Sequence, residues 1–347
     1  MLRPCRAPEH NTAAGPGRAR HRHAKPRTQN EERSMKLHAP FVQLPLRFDA
    51  ARLLAEVSAL DPSCWLEHPQ KFPGNFALPL ISVDGDPNSD AFSGPMRPTP
   101  SLRDCPYLMQ VLGRLGAVWG RTRLMKLSGR AKVNRHTDIS YYWRDRVRVH
   151  VPIVTKPTVR FLCGDAEVNM AAGECWIFNT WLMHQVINGD DDERIHLVAD
   201  TVGSESFWAL VDRGRALGHG TFPDWQAASV APMGEARAAL IYESVNLPQV
   251  MTPWELHEHL MFLLADVRAH AQLPAVQQRV SRFVAVWKSL WAQYGADRAG
   301  WPSYRIALNG FEQAMERAAL PLQLDSGLPF MKGLRAMVLN VALADVR

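Results

Sequence analysis

The sequence predicts a mainly β core followed by an α-helical region. Between about residues 121 and 202, short runs of alternating apolar and polar residues recur between turn signals, which is typical of half-buried strands. From about Phe222 onward, the apolar residues recur at helical spacing instead. Seven short strands in roughly 80 residues favour an antiparallel sandwich or a double-sheet barrel of the jelly-roll or cupin kind.

Composition excludes several classes of protein. Of 347 residues, 46% are hydrophobic, with 11 Trp and 13 Phe, which suffices for a buried core and excludes wholesale disorder. No apolar run approaches the roughly 18 residues that a membrane span needs. The five cysteines include no Cys-x-x-Cys pair, so a disulfide scaffold and a zinc ribbon are both excluded. Reduced thiols indicate a cytoplasmic protein.

The basic charge of the chain is concentrated at its N-terminus. The formal net charge is +6, but residues 1–34 hold eight basic and three acidic side chains, so the remaining chain is nearly neutral. This balance gives no argument for nucleic-acid binding. Residues 1–35 are rich in Arg, His, Pro, Gly and Ala without apolar periodicity, and we predict a disordered basic extension, with Met35 as an alternative start.

Two helices and seven strands are predicted before the helical region. Apolar spacing predicts helices over Asp49–Leu60 and Tyr107–Trp119. Alternation predicts strands at Arg121–Leu127, Arg146–Val154, Thr158–Cys163, Glu167–Met170, Cys175–Phe178, His184–Ile187 and Arg194–Val202. Gly164-Asp165 and Gly173-Glu174 are short connectors that suit hairpins.

The last third of the chain has the pattern of helices. Thr252-Pro253-Trp254-Glu255 has the residues of a helix start, with a capping Thr and a Glu three positions later, and the predicted helix runs to His270. Further helices are predicted over Gln277–Tyr294 and Phe311–Ala319. We therefore divide the chain into a β domain over residues 36–215 and an α-helical region over residues 216–347.

One small group of residues has the chemistry of a metal site. His136-Thr137-Asp138 places an imidazole and a carboxylate two positions apart, and side chains at i and i+2 of an extended segment share a face. His184, on a later strand, would complete the 2-His-1-carboxylate triad of non-haem Fe(II) oxygenases. That triad leaves three positions open, of which two accept a bidentate 2-oxo acid and one accepts O2. We predict His136, Asp138 and His184 as Fe(II) ligands.

Three further residues fit the oxo acid. A 2-oxoglutarate bound through its keto acid end leaves its other carboxylate inside the barrel, where Arg194 can bind it bidentately. Arg148 and His150 share the polar face of an alternating strand and are predicted to bind oxo acid carboxylates. The alternative is that this face is simply the solvent side of a half-buried strand.

Two segments resemble a known family. RHTDISYYWRDRVRVHVPIVTKP and GECWIFNTWLMHQVINGDDDERIHLVAD are similar to the aspartyl/asparaginyl β-hydroxylase family of Fe(II)/2-oxoglutarate dioxygenases. The resemblance covers about residues 120–205, is fainter over 40–120 and is absent from 220–347. It implies a double-stranded β-helix, Fe(II), 2-oxoglutarate and hydroxylation at an unactivated carbon. By the match, the family's metal histidines fall on His136 and His184, its 2-oxoglutarate arginine on Arg194, and its second carboxylate-binding pair on Arg148 and His150.

Asp138 refines what the resemblance implies. Some animal members of the family lack the metal carboxylate, so this chain looks more like bacterial members, which include amino-acid (proline) hydroxylases. That likeness argues against aspartyl or asparaginyl residues of a protein as the substrate. A filled carboxylate position also argues against halogenation, since a halogenase of this class needs that position free for chloride.

The sequence thus leads to one hypothesis and two rivals. The hypothesis is a dioxygenase that uses Fe(II), 2-oxoglutarate and O2 to hydroxylate an amino acid or amino-acid residue, free, peptidyl or carrier-tethered, and releases succinate and CO2. It predicts no nucleic-acid and no membrane partner. One rival is a non-catalytic jelly-roll module that binds 2-oxoglutarate or a metal. The other is an interaction protein that acts through its helical region.

Overall fold

The computed structural model describes residues 37–68, 71–217 and 223–344. The predicted disordered extension over residues 1–35 lies outside the described residues. Within them, the chain forms two β-sheets and a set of C-terminal helices.

The strands are β1 (Phe41–Phe48), β2 (Leu66–Glu67), β3 (Asn75–Val83), β4 (Met96–Pro98), β5 (Val118–Leu127), β6 (Lys132–His136), β7 (Val147–Val154), β8 (Arg160–Cys163), β9 (Ala166–Val168), β10 (Glu174–Phe178), β11 (His184–Ile187), β12 (Arg194–Gly203), β13 (Arg215–Ala216), β14 (Ala228–Val230) and β15 (Ile241–Tyr242). The helices are α1 (Ala50–Ala59), α2 (Pro100–Arg103), α3 (Pro106–Leu115), α4 (Tyr141–Arg144), α5 (Glu205–Asp212), α6 (Pro253–Ala265), α7 (Leu273–Tyr294), α8 (Trp301–Ala318) and α9 (Phe330–Leu334).

From β5 to β12 the chain passes back and forth between the two sheets, with β8 and β9 forming a hairpin within the small sheet. The large sheet has the order β13-β1-β10-β7-β12-β5-β3-β2, and the small sheet has the order β6-β11-β8-β9. All pairings among the eight strands are antiparallel. Two facing antiparallel sheets connected in this order form a jelly roll, or double-stranded β-helix, so the predicted fold class is confirmed.

The predicted strands match the structure closely, whereas two predicted helices of the C-terminal region have wrong bounds: α6 ends at Ala265 rather than at His270, and α8 begins at Trp301 rather than at Phe311. All seven predicted strands are present, with ends that shift by up to three residues. The helix predicted to reach Trp119 ends at Leu115, because Gly116 adopts a left-handed conformation (φ 66°) that closes the helix. Trp119 lies in β5 instead. Strands β1, β3 and β6 were not predicted from the sequence.

Two apolar layers surround the large sheet. The outer face of the sheet packs against α1 and α3, through residues such as Leu53, Leu108 and Val149. The space between the two sheets holds a smaller aromatic cluster that includes Phe161 and Phe178. Some side chains of the large sheet also point into this inner space. They therefore lie in a confined region between the large sheet and the small sheet.

The C-terminal helices build a core of their own. Their buried residues include Leu260, Trp287 and Tyr304, and the indole N–H of Trp287 donates to the Met251 carbonyl at 2.8 Å. Trp181 of the β region is also a member of this cluster. In the described part of the chain, no helix is long and apolar enough to cross a membrane.

The turn after α3 gives a test of the fold. Gly116→Ala is expected to lower the free energy of unfolding by about 1–2 kcal/mol, because a Cβ is strained at positive φ and would meet the Ser206 hydroxyl at 2.8 Å. Chemical denaturation measures the change. Gly129→Ala is the matched control, since Gly129 also has positive φ (59°) but no neighbouring atom within 4 Å of the position that a Cβ would take. An equal loss in both variants would show that the Ser206 contact contributes nothing.

Candidate metal centre

The two predicted metal histidines face each other across one strand pair. His136 is the last residue of β6, His184 is the first of β11, and the antiparallel register places the two residues opposite each other. Their ring centroids are 4.2 Å apart. The pairing of two strands that lie almost fifty residues apart in sequence thus brings both imidazoles to one end of the small sheet.

Asp138 completes the group. Its backbone N–H donates to the Thr180 carbonyl at 3.0 Å, which ties the segment after β6 to the turn before β11. One carboxylate oxygen lies 3.5 Å from Nε2 of His136 and the other 3.8 Å from Nε2 of His184. One nitrogen or oxygen from each of the three side chains lies within 4.8 Å of the others, a spacing that suits a single metal ion.

The backbone sets which ring nitrogen of each histidine is available. Nδ1 of His136 lies 2.7 Å from the Asn134 carbonyl, and Nδ1 of His184 lies 2.9 Å from the Leu182 carbonyl. Because a carbonyl only accepts, Nδ1 carries the proton in the neutral ring and Nε2 carries the lone pair. Nε2 of His184 is buried and has no hydrogen-bond partner among the described residues. In its neutral form, each ring therefore presents an unprotonated nitrogen to the space beside Asp138, as metal ligands do.

Electrostatics keep the carboxylate ionised and His184 neutral. Burial would raise the pKa of Asp138, but Arg148, whose Nη1 donates to its carboxylate at 3.0 Å, outweighs burial and holds that pKa well below its usual range. Burial lowers the pKa of His184 to about 4. Burial also opposes protonation of His136, but Asp138 outweighs it, so the pKa of His136 is raised. A cation in this space would meet one anionic and two imidazole ligands.

A second buried group lies further inside the barrel. Arg194 and His196 project from β12, and the Arg194 guanidinium donates to Nδ1 of His196 at 2.7 Å. Arg194 is only 2% exposed, and burial lowers its pKa to about 9. No carboxylate of the described residues pairs with it, and its Nε lacks a hydrogen-bond partner there. A buried cation without an anion is costly, so this position fits an anionic ligand.

His150 connects the two groups. It lies on β7, and neither of its ring nitrogens has a hydrogen-bond partner within the described ranges. Its ring centroid is 5.8 Å from that of His196 on one side and 5.4 Å from that of Phe178 on the other. The Phe178 ring in turn lies 4.9 Å from His184. Burial, with Arg194 and Arg148 adding to it, holds the pKa of His150 well below its ordinary value, so the ring is neutral.

Arg148 lies with the metal ligands rather than with Arg194. Its Nε donates to Asp200 at 3.0 Å while its Nη1 donates to Asp138, and its guanidinium stacks over Trp143 at 4.1 Å. The predicted alternation of β7 is correct, because Arg148 and His150 share the inner face while Val147 and Val149 enter the outer core. The sequence treated Arg148 and His150 as one carboxylate-binding pair, whereas the structure gives Arg148 two aspartate partners already.

Sequence reasoning missed part of this charged face. Asp200 lies opposite Arg148 in the register of β12 and β7, and Arg121 and Arg123 project from the adjacent strand β5. Asp90, from the segment between β3 and β4, accepts from both of these arginines. Asp200 could have been found by counting alternate residues from Arg194 along β12. Asp90 gave no such signal, because it lies in a turn-rich segment without periodicity.

The candidate site lies in a segment that matches a known family model. Residues 92–203, about a third of the chain, match the family model described as aspartyl/asparaginyl beta-hydroxylase. This segment carries all six predicted site residues: His136, Asp138, Arg148, His150, His184 and Arg194. This segment is therefore similar to the aspartyl/asparaginyl β-hydroxylase family. The predicted class of the enzyme, a dioxygenase that uses Fe(II), 2-oxoglutarate and O2, is thereby confirmed.

Solved structures similar to the dioxygenase share low sequence identity with it. An oxidoreductase of the 2OG-Fe(II) oxygenase family from Burkholderia pseudomallei is 15% identical, with 48% of this chain and 87% of that chain covered and a TM-score of 0.36. A prolyl-4-hydroxylase from Pseudomonas putida is 16% identical (47% and 92% covered, TM-score 0.33). HygX from Streptomyces hygroscopicus, with nickel and 2-oxoglutarate bound, is 11% identical (47% and 82% covered, TM-score 0.34). No curated protein sequence matches the chain significantly. Sequence identities and TM-scores this low support no conclusion about the substrate.

The metal ligands can be tested by direct binding. Asp138→Ala is expected to weaken Mn(II) binding by more than about 100-fold, since loss of a ligand should exceed the 10–100-fold typical of an outer-shell change. Titration followed by electron paramagnetic resonance measures the free ion. Asp192→Ala is the control, because Asp192 is an exposed carboxylate that pairs with Lys156 at 2.6 Å. Equal Mn(II) affinity in the wild-type protein and Asp138→Ala would contradict the assignment.

Proposed function

We propose that the dioxygenase hydroxylates an unactivated C–H bond of an amino acid, with succinate and CO2 as co-products. The observation that carries this proposal is the placement of two complementary groups in one barrel. His136, Asp138 and His184 present their ligand atoms to one space, and Arg194 lies buried without an anion among the described residues. A single molecule with a keto acid at one end and a carboxylate at the other would serve both groups.

Different residues would bind Fe(II) and the two ends of 2-oxoglutarate. Nε2 of both histidines and one oxygen of Asp138 would hold Fe(II), while Arg148 occupies the other oxygen and fixes the plane of the carboxylate. Arg194 would bind the distal carboxylate of 2-oxoglutarate. His150, a neutral ring between the two groups, would donate one ring N–H to an oxygen of the same molecule. Bound Fe(II) with 2-oxoglutarate and O2 supplies the oxidising equivalent.

The surrounding side chains keep water away from the inner end. Phe161 and Phe178 are both nearly fully buried, and their ring centroids lie 5.2 and 5.4 Å from that of His150. An apolar wall strengthens the attraction between Arg194 and an anion, because less water screens the two charges. The opposite end is open, since the side chain of His136 is 40% exposed. We therefore place substrate entry on the His136 side.

The charged face near this entrance supports a substrate with a free carboxylate. Arg123 is 12% exposed, and its one hydrogen bond to another described residue is to Asp90 at 3.2 Å, so most of its N–H groups are unused. Beside it, Nε of Arg121 is buried without a hydrogen-bond partner in the described ranges. His68 lies within electrostatic reach of both Arg123 and His136, which places this face next to the metal ligands. An Arg with a free edge is suited to a carboxylate.

A count of charges leads to the same substrate class. Three arginines and three aspartates share this face and cancel: Arg121, Arg123, Arg148, Asp90, Asp138 and Asp200. Fe(II) would add two positive charges and 2-oxoglutarate two negative ones, while Arg194 adds one positive charge. The loaded site would therefore carry one uncompensated positive charge, which a substrate carboxylate would neutralise. We therefore favour a substrate with a free carboxylate, such as that of a free amino acid, over an internal residue of a peptide.

The role of Arg194 predicts a loss of 2-oxoglutarate affinity. Arg194→Gln is expected to raise the dissociation constant of 2-oxoglutarate by about 10–100-fold, because charge-assisted hydrogen bonds contribute about 1.5–3 kcal/mol. Arg194→Lys should lose less, since it keeps the charge. Calorimetric titration of the Mn(II)-loaded protein measures the constant. Arg160→Gln, at an exposed arginine near Glu167, is the control. Unchanged affinity in Arg194→Gln would rule out this role.

The proposed reaction and its substrate class are tested together by succinate formation. The protein with Fe(II), 2-oxoglutarate and O2 is assayed across free L-amino acids and their carboxamides. At least one amino acid should stimulate succinate formation, and its carboxamide should act about 10-fold less well, since it cannot make the charged pair with Arg123. In Arg123→Gln the difference between acid and carboxamide should disappear, whereas Arg160→Gln should keep it.

Other outcomes of this assay have distinct meanings. Stimulation by peptides with blocked termini, and by no free amino acid, would contradict the carboxylate argument and leave a peptidyl substrate. Binding of metal and 2-oxoglutarate without any succinate, coupled or uncoupled, would contradict the dioxygenase proposal and support a non-catalytic binding module.

A further inference from the structure

The C-terminal helices contact the segments that carry the metal ligands. The family match ends at residue 203, so these helices lie outside it. Tyr141, three residues after Asp138, donates its hydroxyl to Glu255 of α6 at 2.7 Å. Trp181, three residues before His184, packs edge to face on Phe262 of the same helix with ring centroids 4.6 Å apart. One helix therefore touches both turns on which the ligands depend.

The contacts come from a single face of α6. Glu255, His259 and Phe262 are spaced i, i+4 and i+7, which places them on one side of a helix. The His259 ring packs against Tyr141 with centroids 5.3 Å apart, and the guanidinium of Arg144 lies over the Phe262 ring at 4.2 Å. The adjoining leucines of the helix belong to the buried core of the helical region: Leu256, Leu260 and Leu263. Helix α6 thus links that core to the metal centre.

The geometry of the ligand turns requires such support. Between β6 and α4, Asp138 is held by one backbone hydrogen bond, to Thr180, and by Arg148. The partner in that backbone bond is itself in a turn, beside Trp181. Neither turn lies in a sheet, so neither is fixed by a ladder of hydrogen bonds. Packing against α6 restrains both turns at once.

We propose that Glu255 is a positioning residue for the metal centre, acting through Tyr141 to fix the turn that carries Asp138. The proposal rests on the proposed metal site and assigns the C-terminal helical region a part in it. The Tyr141–Glu255 bond is partly buried, and burial together with Glu255 raises the pKa of Tyr141, so the hydroxyl stays a donor at neutral pH. Loss of either partner would free the turn without removing any ligand.

The first test measures metal affinity with matched variants. Tyr141→Phe and Glu255→Ala should each weaken Mn(II) binding about 10-fold, at the lower end of what outer-shell changes cost. The double variant should also lose about 10-fold rather than 100-fold, because both changes remove the same hydrogen bond. Glu255→Gln keeps an acceptor oxygen and should stay within about threefold of wild type.

The control separates positioning from general stability. Glu312 of α8 accepts from Arg335 at 2.7 Å, so Glu312→Ala removes a bond of the same length within the helical region. It should lower the melting temperature without changing Mn(II) affinity. If Glu312→Ala weakens Mn(II) binding as much as Glu255→Ala, or if the double variant loses about 100-fold, the positioning role is overturned.

A second readout does not need the metal. Hydrogen exchange of the metal-free protein should show faster exchange at residues 137–144 and 180–184 in Tyr141→Phe and Glu255→Ala, and unchanged exchange there in Glu312→Ala. Unchanged exchange in all three variants would overturn the proposal. A wild-type protein that binds no Mn(II) would contradict the proposed function, while the exchange data would still decide whether α6 restrains the turns.

Discussion

The antiparallel pairing of β6 with β11 is the constraint on which the site depends. It places His136 opposite His184, and the Asp138-to-Thr180 hydrogen bond continues the alignment beyond the ends of the strands. A register shift by one residue would turn one imidazole to the other face of the small sheet. The eight-strand topology thus holds the short strands β6 and β11 in one register.

The inner face of the large sheet carries the other side chains of the candidate site. Its strands carry the ion pairs around Arg148 and, apart from them, the buried Arg194. Burial of Arg194 makes that face selective for an anionic ligand. A buried charge without a partner raises the free energy of the protein, and a bound anion lowers it again. Burial also lowers the pKa of His150, so its ring remains a neutral hydrogen-bonding group near Arg194 and Arg148.

The helical region adds a second source of order to the centre. Asp138 lies on a turn, whereas the two histidines lie at strand ends, and α6 packs against this turn and the turn before β11. Rigid support of this kind fixes side chains more accurately than a site carried by loops alone. A helix outside the segment that matches the family thus contacts both turns beside the proposed metal ligands.

The sequence by itself determined the fold class and predicted six candidate site residues, because alternation along a strand and the chemistry of His, Asp and Arg are local properties. It identified β7 and β12 by their patterns, and the predicted β7 alternation matches the structure. It missed β6, whose five residues are mostly exposed and show no apolar alternation. Only the tertiary structure placed Arg148 on Asp138 rather than beside Arg194, brought Asp90 to the arginines and set α6 against Tyr141. Those contacts join residues that lie 10, 31 and 114 positions apart, and no local pattern encodes which of the other side chains each one will meet.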